Sequence, residues 1–172
     1  MRTYTHAVLG AALGAALFPD NSFFQGSFAV GAMIPDLVMV PQYLIDVAVG
    51  RKPMTAQSRR FIMMKELSHS IPLWTIATLG MFITTWLWPS FLASSVWAIT
   101  IGGLSHLPVD ILTHTSPGFA KDDLGMLWPF KTRLRINGWD YRKDYGDLTP
   151  KTFEAIIDIL AILIFVGLNV RS

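Results

Sequence analysis

Cysteine is absent from the 172-residue chain, so it offers no disulfide framework, no thiolate metal site and no thiol nucleophile. Charge is scarce as well. Asp, Glu, Lys and Arg make up 15% of the residues, against roughly 25% in an ordinary soluble domain. With 52% of its residues apolar, the chain has ample material for a core, which excludes intrinsic disorder. The 14 basic and 12 acidic residues nearly cancel, so no direct binding of nucleic acid is expected. Low-complexity tracts and internal repeats are missing too. The length fits one domain over residues 1–172, with one polar loop at about 118–150 that holds the turn signals Asn137-Gly138 and Tyr145-Gly146.

What is present in abundance is long apolar sequence. Ile71–Val109 runs for 39 residues without an ionised side chain and is interrupted only by Trp88-Pro89-Ser90. Its first half alone, as helix, spans roughly 27 Å at 1.5 Å per residue, close to the hydrocarbon thickness of a bilayer. Two such segments joined by a tryptophan-rich proline turn predict a transmembrane hairpin with interfacial aromatics. Ala155–Val170 and Ala7–Phe18 are shorter apolar runs, and Gly10 and Gly14 give the latter a face of small residues for close helix contact. The Arg2 start before this alanine-rich stretch also fits a signal-peptide pattern, but it is taken here as the first helix. Pro35 and Pro41 are expected to break Phe23–Val49 into short or re-entrant pieces, since proline removes a donor and clashes one turn back. The predicted fold is therefore all-α: a multi-helix integral membrane bundle with short or broken N-terminal helices and a polar cytoplasmic loop.

Thirteen of the 14 basic residues are Arg2 or lie in the two connections that run from Arg51 to Lys65 and from Lys121 to Lys151. The turns near Asp20 and Pro89 have none. The positive-inside tendency then puts the N-terminus and both long connections in the cytoplasm, in a multi-pass protein of the inner membrane.

The four histidines, His6, His69, His106 and His114, all lie at edges of apolar segments, together with Asp36, Glu66 and Asp110. In an antiparallel bundle these edges fall at one end, the basic cytoplasmic end. His106 and Asp110 are four residues apart and share a helical face, which His114 would extend if the helix persists. Glu66 and His69 have the i, i+3 spacing that lets a carboxylate and an imidazole converge on an ion. Taken singly, each has an ordinary reading: Asp36 could cap the helix that follows, Asp110 could pair with a loop cation, and HxxxD spacing arises often by accident. Asp46 and Asp158 read as helix-surface or interface residues. Taken jointly, ionisable groups from four segments at one end of a membrane bundle point to a nitrogen/oxygen metal site. Such a ligand set suits zinc, with manganese or iron as alternatives. The candidate ligands are His6, Asp36, His69, His106 and Asp110, and a carboxylate not used up by the ion, Glu66, is the candidate proton acceptor.

Several short motifs recur in order along the chain: Thr5-His6 in a Gly/Ala-rich helix, Gly31-Ala32-Met33-Ile34-Pro35-Asp36, Ser68-His69-Ser70, Gly103-Leu104-Ser105-His106-Leu107-Pro108-Val109-Asp110, and Leu127-Trp128-Pro129-Phe130. In this it resembles the YdjM-like family of inner-membrane-associated metal-dependent hydrolases. That resemblance implies a helical membrane protein with a His/Asp metal site formed by the five residues above; the candidate catalytic carboxylates are Glu66 and Asp110. Where the family often has His-Arg-x-x-Thr-His-Ser, this chain has Lys65-Glu66-Leu67-Ser68-His69-Ser70, without the first histidine. A distant likeness to zinc-dependent phospholipase C enzymes and related nucleases suggests phosphoester substrates, as an analogy between folds. The expected function is metal-dependent hydrolysis of a phosphoester in a lipid or amphiphile, with membrane lipids as partners. The competing readings are a non-catalytic membrane binding or scaffold protein with a structural ion, whose coordination shell would be closed, and haem ligation by paired histidines.

Overall fold

The structure is a computed structural model that describes residues 3–51, 59–114, 126–130 and 150–170. Among these residues there are seven helices and no strand: α1 (Thr3–Leu17), α2 (Ser22–Leu37), α3 (Met39–Ala48), α4 (Arg59–Ser68), α5 (Ile71–Leu87), α6 (Phe91–His114) and α7 (Pro150–Asn169). The all-helical expectation holds. The turn signals after Gly118 lie outside the described residues, as does the side chain of His114, whose backbone ends α6.

Helix α2 is the centre of the bundle, packed on α6 on one side and on α1 on the other, while α5 lies against α6 and α7 against α1. The α1–α2 hairpin is closed by polar groups. The Asn21 side chain accepts the Phe24 N–H at 3.1 Å as an N-cap, and the buried Gln25 amide donates to the carbonyls of Phe18 and Pro19 at 3.0 and 3.2 Å. These bonds satisfy carbonyls left open where α1 ends.

Small residues set how closely the helices approach. A methyl on Gly10 would stand 2.7 Å from the Ala32 side chain, and one on Gly14 would stand 3.0 Å from the backbone of Gln25. At the α2–α6 crossing the approach is reciprocal. A methyl on Gly31 would collide with the Ile99 carbonyl, and one on Gly102 with the Phe28 carbonyl. The small-residue face predicted for α1 is thus used against α2, and a second one joins α2 to α6. Gly103 leaves room for the Trp74 ring of α5. Phe28 fills the space between these helices at 1% exposure, a burial that contributes about 2–3 kcal/mol.

The prolines act differently from expectation. Pro35 lies inside α2 and is buried, so the helix continues through it to Leu37. The break falls at Val38, where α2 and α3 bend by 52°. Pro41 accounts for the position: one turn back lies Leu37, whose carbonyl loses its donor and meets the pyrrolidine ring. Helix α3 ends in a Schellman closure, with Gly50 at φ +67°, Gly50 N–H on the Val47 carbonyl and Arg51 N–H on that of Asp46. Asp46 itself is not a surface residue. It is 2% exposed and accepts the Gln42 amide at 2.9 Å. Asp158 does sit at an interface, facing the Thr5 hydroxyl of α1 at 3.5 Å.

Phe91–Ile111, at 21 residues, is long and apolar enough to cross a bilayer by itself, and up to three spans result if each bent pair, α2 with α3 and α4 with α5, counts as one. Helix α5 has no buried residue, and its Ile76 and Trp86 are 71% and 78% exposed. Helix α7 likewise turns Leu160, Leu163 and Ile164 outward. An apolar surface of that extent calls for an apolar surround.

Candidate metal centre

Five of the residues singled out in the sequence meet at one end of this bundle. His6 comes from the first turns of α1, Asp36 from the end of α2, His69 from the joint between α4 and α5, and His106 and Asp110 from successive turns of α6. The three imidazoles and Asp110 are buried, whereas the Asp36 side chain keeps 25% exposure and marks the open side of the cluster.

The contacts are specific to individual atoms. Asp110 Oδ2 lies 3.1 Å from His106 Nε2 and 3.3 Å from His69 Nε2. Asp36 Oδ1 lies 3.7 Å from each of the same two nitrogens. Asp110 Oδ1 faces His6 Nε2 at 3.2 Å. The His106–Asp110 pair realises the i, i+4 spacing. Glu66 does not join His69 in the way the i, i+3 spacing suggests: α4 ends at Ser68, the chain turns by 42° into α5, and His69 is directed at Asp36 and Asp110. Glu66 stays half-buried on α4 and contributes no atom to the converging set.

Groups that the sequence reading missed aim these ligands. His106 Nδ1–H donates to the Ala32 carbonyl at 2.7 Å, and His69 Nδ1–H to the Lys65 carbonyl at 3.0 Å with the Ser68 hydroxyl at 2.9 Å. A carbonyl can only accept, so a proton sits on Nδ1 of each ring and Nε2 is left for the carboxylates, either as an N–H toward a carboxylate oxygen or as a lone pair toward an ion. The Thr3 hydroxyl donates to Asp36 Oδ2 at 3.0 Å, which turns Oδ1 toward the histidines. Below His69, the Ser70 hydroxyl caps α5 by accepting the Leu73 N–H and donates to the Trp128 carbonyl, while the Ile71 N–H donates to that of Met126. The turn Met126–Phe130 thereby pins the joint that carries His69, and the Trp74 indole N–H closes it on the Ser68 carbonyl at 2.7 Å. The Ser-His-Ser and Leu-Trp-Pro-Phe motifs were the visible signals for these supports.

The arrangement has the ligand set of a cation site. Two Nε2 atoms face two carboxylates at 3.1–3.7 Å in a buried space. The two negative charges there are balanced either by protons on the imidazoles or by one divalent ion. The spacing fits: ligands bound at about 2.0–2.1 Å in a tetrahedron stand roughly 3.3–3.4 Å from one another. One ligand atom each from Asp36, His69, His106 and Asp110 lies within 4.8 Å of all the others, a set that could hold a metal ion. His6 is outside it. Its Nε2 is buried and makes no hydrogen bond among the described residues, although Asp110 Oδ1 is close, and its ring stacks on that of His106 with 3.7 Å between centroids.

Neither the curated proteins nor the solved structures yield a significant match to this sequence. A family model does, over residues 1–171, and with it the helical bundle, the outward apolar faces and the order of the His and Asp motifs fall into one assignment: the chain belongs to the YdjM inner membrane protein family.

Proposed function

We propose that this protein is a membrane-embedded metal-dependent hydrolase of phosphoesters in lipids or amphiphiles, with its site near the cytoplasmic side. The observation that carries the reading is the convergence of two carboxylates and two imidazoles in a buried pocket at one end of an apolar bundle. Zinc is the proposed ion, with manganese and iron as the other metals suited to these ligands. The ion would be held by Asp36, His69, His106 and Asp110, and when bound it acidifies a water toward about pH 7, which supplies a nucleophile at neutral pH. The chain's own part is to hold the imidazoles neutral through the Ala32 and Lys65 carbonyls, to admit substrate on the half-exposed Asp36 side, and to take up a proton. Glu66 is assigned that last role as the carboxylate of α4, the helix leading into His69, that is not consumed as a ligand. The Lys- and Arg-rich stretches that precede α4 and follow α6 in the sequence would draw a phosphate-bearing headgroup toward the bundle.

The test is elemental analysis of detergent-purified protein, followed by assay against phosphomonoester, phosphodiester and carboxylic ester amphiphiles. Expected are bound zinc, turnover of a phosphoester, loss of turnover on chelation, and a lower kcat with metal retained in Glu66→Gln. Zinc-loaded protein inert toward all three classes overturns the hydrolase reading. A second reading is favoured by one observation: four protein ligands already fill a tetrahedral shell, which is the mark of a structural ion in a scaffold protein. Under that reading, chelation lowers the melting temperature and no substrate is turned over.

A further inference from the structure

His6 lies in the cluster but not in the converging four. Resting on the metal reading above, we propose that Asp110 bridges two cation positions, the second of which is held by Asp110 Oδ1 and His6 Nε2. The argument is directional. An imidazole lone pair lies in the ring plane, and the rings of His6 and His106 stack at 3.7 Å with only 25° between their planes. Two Nε2 donors confined to these separated planes do not meet on one ion about 2 Å away. Each reaches a different oxygen of the same carboxylate, His106 to Oδ2 at 3.1 Å and His6 to Oδ1 at 3.2 Å. A carboxylate bound through both oxygens is a bridge, and a 3.7 Å ring stack is compatible with the separation of about 3.5–4 Å found in two-metal sites.

The second observation is the burial of His6. His6 is 2% exposed, and its Nε2, aimed into the cluster, makes no hydrogen bond among the described residues. A buried nitrogen whose one close neighbour is a carboxylate oxygen is unfavourable unless a proton or a cation lies between the two. The two positions differ in strength. The first has four protein ligands and binds tightly; the second has two and leaves the rest of its sphere to water or substrate oxygen. A phosphoester, with two unesterified oxygens on one phosphorus, has the geometry to span both, whereas a carboxylic ester offers one carbonyl oxygen.

The experiment uses the full chain in detergent, stripped with a chelator and titrated with zinc alone, then with manganese for electron paramagnetic resonance. Expected are two zinc ions per chain, one bound at least tenfold more weakly, and a spin-coupled manganese spectrum. His6→Gln should reduce the stoichiometry to one and shift the tight site less than threefold. A single zinc in the wild type, or two that survive His6→Gln, overturns the bridge. If His6→Gln does not fold, the wild-type manganese spectrum decides alone: coupled supports the bridge, uncoupled overturns it. No zinc at all in the wild type removes the metal reading itself, an outcome distinct from finding one ion.

Discussion

Gly102→Ala tests how the helix crossing governs the site. The added methyl would stand 3.0 Å from Ala32 N and Phe28 C and closer still to the Phe28 carbonyl oxygen, where ordinary contacts begin at 3.4 Å. Relief of the two milder contacts needs 3.4 − 3.0 = 0.4 Å, and the obstacle is backbone, which has no rotamer to yield. With the carbonyl included, α2 and α6 must part by about 1 Å, a strain of about 1–3 kcal/mol. Alanine returns up to about 1 kcal/mol of helix propensity, so the net loss of stability is modest, roughly 0–2 kcal/mol. The effect on the pocket is larger. The His106–Ala32 bond of 2.7 Å would stretch past the useful N–H···O range of about 3.2 Å. Asp36 would move away from His106 as well, since the two residues ride on the separated helices. Loss of such orienting support typically lowers metal affinity about 10–100-fold. Zinc titration of the detergent-purified variant, beside a melting curve, reads both effects. Gly26→Ala is the control, because nothing lies within 4 Å of its added methyl; it should be neutral or slightly stabilising. Wild-type zinc affinity in Gly102→Ala would refute the link between crossing distance and ligand geometry.

Asp110→Asn keeps the shape but removes a charge and a ligand shared by three histidines, so zinc affinity should fall by more than the roughly 10–100-fold of an orienting partner. Unchanged zinc content would strike Asp110 from the ligands. Ser70→Ala loses the α5 cap and the tie to Trp128 together, at about 1 kcal/mol each, and should lower the melting temperature in detergent by several degrees. Acidification should release the metal, since imidazole coordinates only when neutral: protons compete below neutrality, and retention measured after dialysis should fall from about pH 8 to about pH 5. A retention curve that is flat over that interval would contradict ligation by His69 and His106.

The helices and the end at which the chemistry gathers were legible because both follow from one-dimensional patterns. Apolar run length marks α5, α6 and α7, and the alternation of edges puts His6, Asp36, His69, His106 and Asp110 at one end. Spacing also identified the His106–Asp110 pair, since four residues return to the same helical face. Where the reading fell short, the deciding force was tertiary. Pro35 was expected to end a helix that instead runs on to Val38, where Pro41 acts from one turn ahead. Glu66 had the right spacing for His69, but the bend between α4 and α5 turns the imidazole elsewhere. The burial of Asp46 had no sequence signal beyond the nearby Gln42. The carbonyl partners of the histidines are invisible in any sequence, because every residue has a carbonyl and only packing selects Ala32 and Lys65.

The four converging ligands are shared between the two ends of the folded order, with Asp36 closing the second helix and His106 and Asp110 arriving near the end of the sixth. Capture of the proposed ion would consequently be a late event in biogenesis. Until residue 110 has left the ribosome and its helix has docked beside α2, the growing chain has only part of the converging set, too little to retain a metal against competing chelators. Loading would then report that insertion is complete.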